Sequence, residues 1–253
     1  MKKINFIFEG LFLLILLSFL TLSVGADNVK KEENLLEKAS SRFSLTTSHR
    51  LDIEQISYID GEEVDKARLE VYVSENGEKQ LVTFIAPERL TDQKILVVGH
   101  NTWMYQDGLR RPIRISASQK LFGDAGIAET VGIDYFNEYQ IEDKKMQDSV
   151  YFLELKAIEG SLAYQRAEME ITKEGYIKTV ILMDSGGTEL RKLIYQNYRK
   201  VNDFEVPKII IKDLFNNNQE TELIYKEIQQ IDLPDRLFQY NRMEDIELIL
   251  NQL

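Results

Sequence analysis

Apolar and polar residues alternate along most of the chain after residue 50. In residues 67–74, Leu69, Val71 and Val73 would point to one side of an extended strand and their neighbours to the other. Similar segments recur as far as residue 228, separated by turn sequences such as Asp107-Gly108. We therefore predict about ten or eleven short strands joined mostly by hairpins. They would form one large antiparallel sheet that curls or partly closes to limit its exposed edges.

Two terminal segments follow the helical period instead. The positions that share a helical face are Leu36, Ala39 and Phe43 in the first segment and Met243, Ile246 and Leu250 in the tail. Residues 118–147 lack clean alternation, which predicts a helix or a long loop there. A curled sheet has an apolar concave face, and these segments either fill it or leave a cavity for an apolar ligand. The pattern leaves both arrangements open.

The first 26 residues have the features of an export signal. Lys2 and Lys3 precede an apolar run over residues 11–17, and small residues end at Ala26. An uncleaved membrane anchor is the alternative, but the run is shorter than the ~20 residues that a spanning helix needs. We expect cleavage after Ala26, a periplasmic location, and one mature domain over residues 27–253.

Composition narrows the possible chemistry. The formal net charge of −11 argues against nonspecific binding to nucleic acid. The absence of cysteine excludes disulfides, thiol catalysis and cysteine-ligated metals. The two histidines, His49 and His100, lie in no ligand-spaced motif, so we expect no metal site.

The only tryptophan lies in a stretch rich in positive charge, NTWMYQDGLRRPIRISASQKLFG, residues 101–123. With a two-residue turn at Asp107-Gly108, the expected cross-strand partners are Tyr105 with Arg110, Trp103 with Pro112, and Asn101 with Arg114. An aromatic ring beside a guanidinium group contributes about 0.5–2 kcal/mol, so the cluster could simply fix strand register. It could equally bind a phosphate headgroup or an acidic partner at the cavity or its rim. The candidate binding residues are Trp103, Tyr105, Arg110, Arg111, Arg114 and Lys120.

The same stretch resembles the outer-membrane lipoprotein-sorting family, the LolA-like periplasmic proteins. The resemblance rests on TWMYQDGLRRPIRIS, on FIAPERL before it and on LPDRLF near the end. It implies an incomplete, strongly curved antiparallel β-barrel with helices over its open side and an apolar cavity that takes up acyl chains. The chain departs from the family pattern at Gln106-Asp107-Gly108, where a proline is usual, and in the segment GDAGIAETVGIDYFNEY.

The resemblance implies a non-enzymatic carrier of lipids or lipoprotein acyl chains, with no cofactor. Its partners would be the cargo and an inner-membrane transporter, and we expect a monomer. A sensor with the same cavity that docks on a membrane protein is one alternative. A lipid hydrolase is another: it would use Ser185, in the turn of MDSGGTEL, with His49 or His100. A hairpin turn explains Ser185 fully, and no Gly-x-Ser-x-Gly elbow is present.

Overall fold

The computed structural model describes residues 35–42, 45–215 and 218–253, apart from the side chain of Asn76. The expected signal segment, its cleavage after Ala26 and the contribution of Phe43 to the first helix lie outside the described residues. No helix among the described residues is long and apolar enough to span a bilayer.

Thirteen strands form one antiparallel sheet that does not close into a barrel. Its first six strands are β1 (His49–Ile59), β2 (Glu62–Val73), β3 (Lys79–Ala86), β4 (Lys94–Val98), β5 (Asn101–Tyr105) and β6 (Ile113–Ile115). The others are β9 (Tyr139–Gln147), β10 (Val150–Ala157), β11 (Arg166–Thr172), β12 (Ile177–Met183), β13 (Glu189–Val201), β14 (Phe204–Asp213) and β15 (Gln219–Gln230). Two short strands, β7 (Lys120–Phe122) and β8 (Ala125–Gly126), form a separate hairpin.

The order of strands follows from hairpin connections. Across the sheet the strands lie in the order β6 to β1, followed by β15 to β9. Adjacent strands are therefore consecutive in the sequence, except that β1 pairs with β15. The segment from β7 to the helices after β8 crosses from one half to the other. Register shifts interrupt several pairs, among them between Asp52 and Ile53 in β1. Because bulges bend and twist a strand, they favour the curvature of the sheet.

The helices are few and short. They are α1 (35–42), α2 (Ile127–Val131), α3 (Tyr135–Glu138) and α4 (Ile246–Leu250), and 3-10 helices lie at Glu75–Gly77, Glu88–Leu90, Asp235–Phe238 and Tyr240–Asp245. Leu35 and Leu36 of α1 and Ile127 of α2 share one core with strands from both halves of the sheet, including Leu69 and Leu153. A face whose two halves meet in one core is concave. The predicted fold class, a curved sheet with helices on its concave side, is therefore confirmed.

The tail packs on the opposite, convex face. Leu237, Met243 and Ile246 form a second core with alternate residues of β2 to β5, among them Tyr72 and Leu96. The predicted helical face of the tail is buried, but it covers the outside of the sheet rather than the cavity. This arrangement gives the first half of the sheet apolar side chains on both faces, which strict alternation does not predict.

Two predictions about local structure were wrong. The hairpin after β5 pairs Trp103 with Arg114 and Met104 with Ile113, two residues away from the predicted register. Its connection is therefore residues 106–112 instead of a two-residue turn, although Trp103 and Arg114 still share a face. Residues 118–147 contain the short hairpin and two helical turns, but also the nine-residue strand β9, whose charged sequence hid its period.

Candidate functional site: a cavity on the concave face

A cavity of about 450 Å³ lies between the concave face, α1 and the connection between α2 and α3. Its apolar walls are Ala39, Leu45, Leu51, Val73, Leu193 and Ile209. It extends to Val73 and Gly77, at the end of the sheet where β1 begins and β2 ends. The volume falls within the range of about 300–1,000 Å³ that is typical of small-molecule sites.

Tyrosines add polar groups to this apolar wall. The hydroxyl groups of Tyr135 and Tyr195 lie 3.2 Å apart, and Tyr198 and Tyr225 also line the cavity. Burial, followed by the proximity of Tyr195, raises the pKa of Tyr135 well above its ordinary value. The tyrosine hydroxyls are therefore neutral at physiological pH and can donate hydrogen bonds to a ligand.

An ion pair ties α1 to the sheet beside the cavity. Arg42 Nη1 lies 2.8 Å from Glu205 Oε2 and its guanidinium group lies 3.5 Å from the centre of the Tyr176 ring. Arg42 Nη2 also donates to the carbonyl oxygen of Glu174, and the Tyr176 hydroxyl donates to Glu205. The cavity wall thus changes from apolar side chains in its interior to a fixed polar cluster around Arg42.

Glu129 of α2 is the fully buried carboxyl group of the cavity wall. Its Oε1 accepts a hydrogen bond from the Tyr164 hydroxyl, whereas Oε2 has no hydrogen-bond partner of ordinary geometry among the described residues. Burial raises the pKa of Glu129, and the lowering effects of Tyr164, two backbone amides and Arg191 offset this only in part.

A network of ion pairs continues from Glu129 away from the cavity. Arg191 Nη1 lies 3.2 Å from Asp213 Oδ2, and its Nε lies 3.9 Å from Glu129 Oε1. Lys120 lies 2.8 Å from the same Asp213 oxygen and 2.9 Å from Asp124 Oδ1. Partial burial opposes protonation of Lys120, but hydrogen bonds to Asp213 and Asp124 dominate and raise its pKa. The network attaches the β7–β8 hairpin to β13 and β14.

We expect Glu129→Gln to make stability less dependent on pH. Because the pKa of Glu129 is raised above 4.5 in the folded protein, the folded state keeps its proton over a range in which the unfolded state has lost it. The wild type then loses stability as pH rises through that range, by at most about 1.4 kcal/mol per pH unit. Relative to the wild type, the free energy of unfolding of the variant should increase as the pH rises above 4.5. The increase should end at the raised pKa of Glu129.

Urea titrations at several pH values would measure this difference. The same substitution at the exposed Glu168 serves as the control, because it removes a carboxylate without changing a buried site. The expectation would be contradicted if the free energies of unfolding of Glu129→Gln and wild type differed by a constant amount between about pH 4 and pH 8.

The structure separates the candidate binding residues from the cavity. Trp103 and Tyr105 belong to the core on the convex face, and Lys120 lies in the ion-pair network. The prediction that the six candidate residues lie at the cavity or its rim is wrong, because none of them lines the cavity. Four of the six are exposed, Arg110, Arg111, Arg114 and Lys120. Their role in binding stays a prediction.

The groups that a hydrolase would need do not converge. His49 is buried, with its Nδ1 2.7 Å from the carbonyl oxygen of Thr47 and its ring against Phe204. His100 Nε2 lies 3.0 Å from Glu159 Oε2. Ser185 lies in the exposed turn between β12 and β13, where no hydrogen bond joins it to a histidine of the described residues. The described residues also contain no cluster of ligands that could hold a metal ion.

Sequence reasoning missed the polar groups of the cavity. Glu129 and Tyr135 come from residues 118–147, which lack clean alternation, and Arg42 follows the apolar face of α1. One signal was available, since Glu129 stands between apolar residues in the segment GIAETVGI. A lone carboxylate in such a segment is often buried with a partner.

Comparison with known proteins confirms the fold. A family model described as "Uncharacterized protein" matches residues 76–245, and no curated protein matches the chain. A LolA superfamily protein of Nitrosomonas europaea is 24% identical over 82% of this chain and 97% of its own, with a TM-score of 0.73. An outer membrane lipoprotein-sorting protein domain from Vibrio parahaemolyticus is 18% identical over 86% and 100%, with a TM-score of 0.69.

A third structure agrees with these two. A DUF1329 family protein from Desulfovibrio piger is 16% identical over 85% of this chain and 98% of its own, with a TM-score of 0.68. The predicted likeness to the LolA-like proteins is thereby confirmed. At these sequence identities the likeness shows a shared fold alone.

Proposed function

The chain belongs to the family of uncharacterized proteins whose model matches residues 76–245, and because its fold is LolA-like we propose that it carries lipids or lipoprotein acyl chains in its concave cavity. The carrier would work in the periplasm, after removal of the signal segment, and would transfer its cargo towards the outer membrane. It would be a monomer, without catalytic activity, and an inner-membrane transporter would load it. One neighbour with this fold is described as an outer membrane lipoprotein-sorting protein domain, which supports the choice of carrier over enzyme.

The observation that carries the proposal is the composition of the cavity. Its interior is lined by aliphatic and tyrosine side chains, and the polar groups of Arg42 and Glu205 lie together at its edge. An amphiphile has the same distribution, an apolar chain joined to a polar head. Each buried methylene group contributes about 0.8 kcal/mol to binding, so even part of an acyl chain would bind measurably.

Filling the cavity should weaken this binding. Ala39 lies on α1 and lines the cavity, whereas Glu37 lies on the exposed side of the same helix. We expect Ala39→Trp to weaken binding of a fluorescent long-chain fatty acid by about tenfold or more, since the indole ring occupies the space of several methylene groups. Glu37→Trp should leave the affinity unchanged.

Displacement of the fluorescent fatty acid by palmitate and by unlabelled phospholipid measures these affinities. Thermal melting of both variants checks that α1 is still packed. Equal affinities of wild type and Ala39→Trp would contradict a site in this cavity. Release of free fatty acid from the phospholipid by the wild-type protein would favour a hydrolase instead.

A further inference from the structure

The arginines of this protein divide into two groups. Most of them donate to a partner, as Arg50 does to Glu227 and Arg68 to Asp52. The side chains of Arg242 and of three clustered residues, Arg110, Arg111 and Arg114, have no hydrogen-bond or ion-pair partner within residues 35–42, 45–215 and 218–253. The carboxylates of the protein therefore leave these three charges uncompensated, although the net charge is −11.

These three residues, the arginine patch, lie on the projecting β5–β6 connection and on β6 itself, the edge strand of the sheet. Trp103 pairs with Arg114 across the hairpin, and its ring stacks on Tyr240 of the tail at 5.4 Å and 14°. The stack joins the hairpin to the tail. One exposed amphipathic side chain accompanies the charges on this face, Tyr240 at 55% exposure.

The arginine patch and its aromatic neighbour fit a surface of closely spaced phosphate groups. Three like charges within five residues repel one another, and closely spaced anions relieve that repulsion. The planar guanidinium fork matches phosphate oxygens, and aromatic side chains accompany cations at the headgroup level of membranes. A bilayer rich in anionic phospholipid presents phosphates at this density over a whole surface.

We propose that the arginine patch, with Tyr240, docks the protein on the surface of an anionic phospholipid bilayer. The patch lies near the end of the sheet where β4 begins, whereas the cavity reaches the other end, at Val73 and Gly77. The docked protein would therefore keep its cavity accessible from the side away from the bilayer. Docking and cavity binding are separate events on opposite faces and opposite ends of the sheet.

Vesicle flotation tests this proposal with the full mature chain. Vesicles of phosphatidylglycerol and phosphatidylcholine in equal parts are compared with pure phosphatidylcholine. We expect the wild type to float with the anionic vesicles, more strongly at low salt, and the emission of Trp103, the only tryptophan, to shift to shorter wavelength. Replacing Arg110, Arg111 and Arg114 by glutamine should reduce partitioning about 100-fold at low salt.

The matched control replaces the exposed Lys173, Lys178 and Lys200 by glutamine, which changes the net charge by the same amount. This control should partition like the wild type, as should the cavity variant Ala39→Trp. If the triple arginine variant melts at a lower temperature, Arg110→Gln with Arg111→Gln, both on the exposed connection, replaces it.

Several results would overturn the proposal. Equal partitioning of the arginine variant and the wild type would do so, as would equal binding to neutral vesicles. Binding of a polyglutamate peptide that needs the arginine patch, together with no binding to anionic vesicles, would point to an acidic protein partner instead of a bilayer.

Discussion

Replacing Leu237 by alanine should lower the free energy of unfolding by about 2–5 kcal/mol, the range for truncating a buried leucine. Leu237 is 0% exposed in the core on the convex face, where it packs with Leu96, Met243 and Ile246. The helices of the tail are short, so its attachment depends on these contacts. The loss of stability should be accompanied by faster proteolysis of the tail.

Leu248→Ala is the matched control, since it removes the same atoms from the same segment. Leu248 is 66% exposed, and its truncation should change stability by no more than about 0.5 kcal/mol. Chemical denaturation measures both values. Similar small effects for Leu237→Ala and Leu248→Ala would mean that the tail does not cover the sheet in solution.

The second large effect is expected at Arg191. Its side chain is 11% exposed and faces Asp213 and Glu129, so Arg191→Met leaves a buried carboxylate without one of its cations. Removing one partner of a buried ion pair costs about 3–5 kcal/mol. Lys192→Met is the control, because Lys192 is the next residue of β13 and points to the other face of the sheet.

A second substitution distinguishes charge from packing at this site. If the cost of Arg191→Met arises from the uncompensated Asp213, adding Asp213→Asn should recover part of the stability, because Lys120 still pairs with Asp124. A double variant that is less stable by the sum of the two single effects would show that the two residues do not interact.

Much of the sheet could be predicted because apolar and polar residues alternate in most of its strands. In β2, Leu69, Val71 and Val73 all point to the concave core, as their spacing predicts. Strand β9 escaped prediction because its edge position leaves it with charged side chains such as Asp143 and Lys145, which protect an edge but hide the period. The longer β5–β6 connection escaped because Asp107-Gly108 favours a tight turn that tertiary packing overrides.

The candidate site was harder to predict than the fold. The sequence identified an apolar concave face but could not say which side chains meet there, because residues far apart in the chain supply the wall. Glu129, Tyr135 and Tyr195 are brought together only by the crossing of α2 and α3 over β13. The arginines were conspicuous in sequence for their charge, but their spacing could not assign them a face. Arg114 pairs with Trp103 on the convex face, and Arg110 and Arg111 lie on the connection between β5 and β6.

Native mass spectrometry of the protein purified from the cell envelope of its own host tests the proposed cavity most directly. The wild type should carry a bound lipid or acylated peptide, and Ala39→Trp, purified in the same way, should carry none while Glu37→Trp keeps it. The affinity for added fatty acids should also rise about tenfold for each two methylene groups until the cavity is full. A wild-type protein that carries no acylated species and binds fatty acids of all chain lengths equally would contradict an acyl-chain site.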